Sequence, residues 1–280
     1  MTENEYRSRP EISRSELWMI RESPEKFFYR RANPEPPTPA LLFGIAAHKY
    51  VLEEKDFWND FVLAPSIDRR TKAGKEEYAA FLSQCAGKQI ITAEQWEQIH
   101  EMGDTIKCNG IARQLLMKGV HELPAFWVDE ATGERCKCRF DCVTAINGQP
   151  VIVDYKTANN ASTEEFTRAA VKYGYDFQAA MYSAGYAATN DGAVPMFVFI
   201  VQEKEPPYSI NILAADDDFV AHGEETFREL LGIYHHCKET GNWWGYMGED
   251  NTINTLSLPA WMTDKKGELK NGTDANDNAE

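Results

Sequence analysis

Arg139-Phe140-Asp141, then the turn pair Asn147-Gly148, then Val151-Ile152-Val153-Asp154-Tyr155-Lys156-Thr157 read as two strands folded back on each other. Asn-Gly between apolar runs is a strong hairpin signal, because both residues tolerate the left-handed backbone a tight turn needs. Side chains alternate along a strand, so Asp154 and Lys156 share one face while Val151, Val153 and Tyr155 share the other. If the turn sets the register, the strand carrying Asp141 lies beside this one and Asp141 can face Asp154. Two carboxylates beside an apolar run are costly, since burial and mutual repulsion both oppose ionisation, and a divalent cation such as Mg2+ or Mn2+ resolves that conflict. Lys156, on the same face, can orient or deprotonate a water and stabilise charge developing on a phosphate. Taken alone, D-x-K at a strand end also suits a surface ion pair beside a turn.

Two further patterns flank this hairpin. Upstream, Gly44-Ile45-Ala46-Ala47-His48 places a residue without a side chain one helical turn before an imidazole, which suits a metal ligand or a hydrogen-bonded core histidine. Downstream, Gln178-Ala179-Ala180-Met181-Tyr182 sets an amide and a phenol at i and i+4 of a helix. Both could bond phosphate oxygens or brace Lys156, and the alanines equally suit close helix packing.

Further outward, Ser13-Arg14-Ser15-Glu16 has the form of a capping box that opens a helix, and Pro24 opens a second. The proline-rich stretch 33–39 is a loop. Helices are predicted over 40–54, 72–85 and from Thr92 towards Cys108, so the first 120 residues are mainly helical. Strands are predicted at 125–129, 135–145 and 150–157 as an antiparallel meander, then helices from Ser162 and over 176–189. Strands at 196–202 and 208–214 and a helix over 217–239 complete the order. Residues 263–280 carry almost no apolar side chains and a net charge of −2, from five acids and three bases, and read as a disordered tail.

Composition narrows the class. With 43% hydrophobic and 12% aromatic residues the 280-residue chain can build a core, and it fits one large α/β unit. The net charge of −15 argues against nonspecific coating of nucleic acid, where phosphate neutralisation dominates, though not against an enzyme that gathers metal with carboxylates. Basic stretches at Arg30 and Arg31, and at Arg69, Arg70, Lys72 and Lys75, suit either a substrate path or an ordinary solvated face. The charged N-terminus has no signal-peptide pattern and no apolar run approaches a membrane span, so a cytoplasmic location is expected. The six cysteines read as reduced thiols rather than a disulfide frame, and Cys136, Cys138 and Cys142 lack a second pair for a metal cluster.

G-x-x-x-H, R-F-D, V-D-Y-K-T and Q-x-x-x-Y, in this order across about residues 44–182, together resemble the PD-(D/E)xK nuclease superfamily, in its RecB-like and lambda-exonuclease-like branch. Ile12 to Leu17 followed by Glu22 to Phe27 also resembles the start of the RecE (exonuclease VIII) nuclease domain and its prophage relatives. The third motif position holds Asp154 where many members carry Glu; the superfamily admits either. The resemblance implies a mixed α/β (α+β) restriction-endonuclease-like core, with a central mixed sheet of about five strands flanked by helices and a helical N-terminal part. One domain is expected over 1–262, with its helical part at about 13–118 and its catalytic core at about 119–240.

By the same resemblance Asp141 and Asp154 would be metal ligands, joined by His48, the Tyr155 backbone carbonyl and Glu122, which also suits an exposed strand-end acid. Lys156 would activate water or stabilise charge, with Gln178 and Tyr182 shaping the site. The implied activity is Mg2+-dependent exonuclease digestion of linear double-stranded DNA, 5′→3′, with Mn2+ able to substitute. The implied partners are double-stranded DNA ends, a RecT-type single-strand annealing protein and copies of the chain itself in a cyclic trimer or tetramer. A restriction or repair endonuclease, and a noncatalytic DNA-binding or assembly module, are the alternatives.

Overall fold

The computed structural model describes residues 1, 3–85 and 87–259. The tail expected at 263–280 lies outside the described residues. A short helix α1 (Glu3–Arg7) precedes strand β1 (Ile12–Ser13), which runs into α2 (Arg14–Ile20). There Ser13 and Glu16 form the anticipated capping box. Then come α3 (Pro24–Ala32), with Pro24 in its first turn, and α4 (Pro39–Leu52), capped by the Thr38 hydroxyl accepting from the Leu41 N–H. A peripheral unit follows: α5 (Phe57–Asp60), β2 (Phe61–Leu63), α6 (Lys72–Gln84) and β3 (Gln89–Ile91), with β2 and β3 paired in parallel. Helices α7 (Ala93–Cys108) and α8 (Gly110–Met117) lead into the meander of β4 (Val120–Val128), β5 (Arg135–Ile146) and β6 (Gln149–Ala158). The chain continues through α9 (Thr163–Tyr173), α10 (Tyr175–Thr189), β7 (Met196–Glu203), β8 (Ile210–Ala214) and α11 (Asp217–Thr240).

Six strands form the main sheet. β4, β5 and β6 pair antiparallel, β6 and β7 parallel, and β7 and β8 antiparallel, while β1 pairs in parallel with β5. Asn147 and Gly148 both have positive φ, 51° and 85°, as the two-residue hairpin turn requires, and the register follows with Ile146 opposite Gln149. The sixth strand, β1, is two residues long, too short to show a period.

Helices cover both sheet faces. On one, Ala46, Tyr50, Ile99, Met102 and Leu115 from the N-terminal helices pack against Val151, Val153, Tyr155, Val198 and Ile200. On the other, Phe166, Ala170 and Ala179 pack on Phe140, Ile152, Phe197, Phe199 and Val201, and α2, α3 and α11 pack outside α10. β6 lies between two paired strands and is buried on both faces, so its centre reads as an apolar run rather than an alternation.

The junction of α9 and α10 is built on Gly174, at φ +65°. A Cβ there would sit 2.3 Å from the Trp18 ring, which stacks on Phe177. Gly174→Ala is expected to cost about 2–4 kcal/mol through left-handed strain and overpacking, read by denaturant titration. An unchanged midpoint would mean that Trp18 can yield.

Candidate active site

β5 and β6 are hydrogen-bonded from the hairpin only as far as Cys142 opposite Val153. The next facing pair would be Asp141 and Asp154, and there the strands separate. The Asp141 carboxylate takes the place of a ladder acceptor, with its Oδ2 receiving the Tyr155 N–H at 2.9 Å. On the other edge of β5 the pairing with β4 is interrupted where Glu122 would face Asp141, and Glu122 has a left-handed backbone at φ 51°. β5 also loses its alternation here: Phe140 belongs to the core under α10, whereas Cys142 belongs to the core under α4. A non-glycine residue held at positive φ beside a broken ladder costs free energy, and such strain gathers at functional sites.

The break joins groups from opposite faces of the sheet. From the α4 side, His48 Nε2 lies 2.9 Å from Asp141 Oδ2, and His48 Nδ1 lies 3.5 Å from Glu122 Oε1. Arg139 Nε reaches Glu122 Oε2 at 2.6 Å. From the α10 side, Lys156 Nζ lies 2.6 Å from Asp154 Oδ2, and Gln178 Nε2 donates to Asp154 Oδ1. Asp154 is 1% exposed, so its charge depends on these partners and not on water.

The titration of these groups follows from this crowding. Burial pushes the Asp154 carboxyl up to about 6, against the pull of the Lys156 ammonium. Burial also acts on Asp141, but His48 outweighs it and holds that carboxyl below the usual range. His48 is raised because Asp141 and Glu122 overcome its burial, and Glu122 is raised chiefly by its own burial. Lys156 is raised because Asp154 and Asp141 overcome the burial that would otherwise strip its proton.

The donor set fits a hard divalent cation. Among the described residues, His48, Glu122 and Asp141 are the group whose ligand atoms lie within 4.8 Å of one another. Across the break, Asp154 Oδ2 is buried and, despite the nearby ammonium, has no aligned hydrogen-bond donor, leaving an anionic oxygen that a cation would satisfy. Imidazole with carboxylate oxygens suits Mn2+ and, through the oxygens, Mg2+. No cysteine belongs to the group; burial pushes the Cys136 and Cys142 thiols up to about 12, away from the thiolate a metal needs.

A pH dependence follows. Protons on His48, Glu122 and Asp154 occupy the lone pairs a cation would use, and all three hold them more tightly than usual. Affinity for Mn2+ is therefore expected to rise at least tenfold from about pH 5.5 to about pH 7.5, with protons released on binding. Calorimetric titration at the two values checks this; equal affinities would exclude these groups as ligands.

The remaining expected residues are placed as follows. Gln178 braces Asp154 directly rather than Lys156. Tyr182 packs edge-on against Phe140 at 5.8 Å and Phe197 at 6.3 Å, supporting the strand that carries Asp141. Gly44 faces Thr157, and a Cβ there would be 3.7 Å from Oγ1, an ordinary contact, so the protein alone does not require glycine there. Arg30 pairs with Glu22 and Arg31 with Glu16, whereas Arg70 and Lys72 are almost fully exposed. Arg139, quoted in the R-F-D motif without a role of its own, joins the cluster through Glu122, and its spacing from Asp141 along one strand is the sequence signal for it. Tyr175, one turn before Gln178, is a further residue of the site beyond the sequence motifs, and its ring faces Lys156.

The fold and this cluster define a PDDEXK-like nuclease domain. A family profile described as a PDDEXK-like domain of unknown function (DUF3799) matches residues 13–255, and the chain belongs to that family. The crystal structure of a "Putative exonuclease" from Eubacterium rectale is similar at TM-score 0.58 and 15% identity, covering 92% of this chain and 96% of that one. At that identity the likeness concerns the fold. The structure of SSO0001 aligns over 66% of this chain and 84% of that one at 14% identity, and its TM-score of 0.29 is too low to bear on the fold. No curated protein matches the chain. No helix among the described residues is long and apolar enough to cross a membrane.

Proposed function

We propose that the chain is a Mg2+-dependent exonuclease that hydrolyses linear double-stranded DNA from 5′ ends, leaving 3′ single strands for recombination by annealing in the cytoplasm. The observation that carries a phosphodiester-cleaving reading is the break between β5 and β6, which sets Asp141 with His48 and Glu122 beside Asp154 with Lys156. The exonuclease reading is supported by the fold shared with the Eubacterium rectale protein and by the RecE-like motifs. Polarity and a RecT-type partner rest on those motifs.

In this reading His48, Asp141, Asp154, Glu122 and the Tyr155 carbonyl hold the cation. When bound, it supplies Lewis-acid polarisation of the phosphate and acidifies water. Asp141 also fixes the β6 backbone through the Tyr155 N–H, and Gln178 fixes the Asp154 carboxylate. Lys156 keeps its proton beside two carboxylates, so it serves first as an ammonium that orients the nucleophile and neutralises charge gathering on phosphate oxygen. It could accept a proton only once the charge of Asp154 is offset.

End-labelled linear duplex and closed circular plasmid, each incubated with Mg2+ and with chelator, test the proposal. Progressive release from labelled 5′ ends with an intact circle is expected. Discrete fragments or a linearised circle would replace it with an endonuclease, and unchanged DNA bound in both conditions with a noncatalytic module.

A cyclic trimer or tetramer belongs to the same proposal, since an acidic monomer gains little from its own phosphate contacts. Arg69, Arg70, Lys72 and Lys75, at the exposed start of α6, are the side chains proposed to line its passage. Light scattering at micromolar concentration reads the state directly; a monomer that still digests long duplexes without dissociating would remove the ring.

A further inference from the structure

We infer that Tyr175 is a positioning residue for the reaction: its ring forms the seat that holds the Lys156 ammonium against Asp154. This rests on the reading of Lys156 as the ammonium that serves the phosphate.

Lys156 stands on a strand with a flexible four-carbon stem, and its ammonium feels the charges of both Asp154 and Asp141. A point charge on such a stem has many arrangements open to it, and strand geometry alone selects none. The ring supplies the missing constraint. Lys156 Nζ sits over its face, 4.8 Å from the centroid, while Asp154 Oδ2 lies 2.6 Å from the same ammonium. An aromatic face attracts a cation through its quadrupole yet offers it no carboxylate and no proton acceptor. It therefore holds the ammonium without adding another acid to an already acidic cluster.

The ring itself is fixed. It stacks on Phe166 at 5.7 Å with 28° between planes, and lies against Phe199 at 6.0 Å. Its backbone is set by the residue before it, the left-handed Gly174 that begins α10. The Arg14 guanidinium, from the start of α2, binds the carbonyls of Tyr173 and Gly174, and Trp18 fills the space beside Gly174. Tyr175 and Gln178 are three residues apart on α10, so one helical turn presents the ring to Lys156 and the amide to Asp154. The Lys156–Asp154 pair is thus aligned from a single rigid element.

The test is a ring series at position 175 in the full chain, with single-turnover cleavage of linear duplex in Mg2+ and separate measurement of DNA binding. Tyr175→Phe should cleave within about twofold of wild type, since the face and not the hydroxyl acts. Tyr175→Leu should lose about tenfold or more in single-turnover rate with DNA affinity nearly unchanged. Trifluorophenylalanine at this position keeps the shape but drains the face, and should fall with Leu; it also serves if the Leu variant does not fold. In a Lys156→Ala background the Leu substitution should cost nothing further. In the metal-free protein, the ring-current shift of the Lys156 side-chain protons should vanish in Tyr175→Leu. A fluorinated ring as fast as Phe, or an equal loss in the Lys156→Ala background, would overturn the inference. If Lys156→Ala itself cleaves at the wild-type rate, the reading of Lys156 falls instead.

Discussion

Asp154→Asn is expected to leave the chain folded and to lower DNA cleavage by roughly a thousandfold, about 4 kcal/mol of transition-state stabilisation. The side chain is buried, with one oxygen engaged by Gln178 and the other beside Lys156. An asparagine of the same shape can still accept from Gln178 through its carbonyl oxygen. Its amide would turn two donors towards the Lys156 ammonium, where the wild type has an anion, and a neutral amide is a poor ligand for a hard divalent cation. Both losses fall on metal capture and on the placement of Lys156, neither on the packed core. The mutant should therefore show a near-native thermal transition, weakened Mn2+ binding by calorimetry and little digestion. Wild-type affinity with wild-type digestion would remove Asp154 from the site.

Lys156→Ala should separate capture of the cation from the chemical step. The ammonium cannot ligate a cation while protonated, and from its place 2.6 Å from Asp154 Oδ2 it competes with an incoming cation for that oxygen. Its removal should leave Mn2+ affinity unchanged or tighter and DNA affinity within a few-fold. Single-turnover cleavage should fall about a hundredfold to a thousandfold, the range seen when one preorganised donor to a developing charge is lost. The opposite result, normal cleavage with lost metal affinity, would make Lys156 a structural counter-ion to Asp154.

These two expectations are legible in the sequence alone, because they depend on short-range rules. The Asn147-Gly148 turn requires positive φ, the turn sets the register, and the register runs as far as Cys142 opposite Val153, one position short of Asp141 and Asp154. Period-2 alternation placed Asp154 and Lys156 together on one face, and caps at Ser13, Thr92 and Ser162 marked helix starts to the residue. Each of these signals is carried by neighbours within a few residues.

Three features were decided only by the packed chain. Asp141 and Asp154 do not simply face each other across an intact hairpin: the ladder ends one pair earlier, and the Asp141 carboxylate binds the Tyr155 N–H. That rupture comes together with a left-handed backbone at Glu122 and a slipped alternation of β5, neither of which leaves a pattern in residue types. Glu122, equally readable as a solvated strand-end acid, becomes a partner of His48 and Arg139 because α4, remote in sequence, brings the imidazole to its carboxylate. Tyr175 takes Lys156 because Arg14 and Trp18, some 160 positions earlier, hold the turn that starts α10. Spacing reports which groups can share a face of one helix or strand. Which faces meet is set by burial of apolar surface summed over the whole chain, and contacts of that range have no local period.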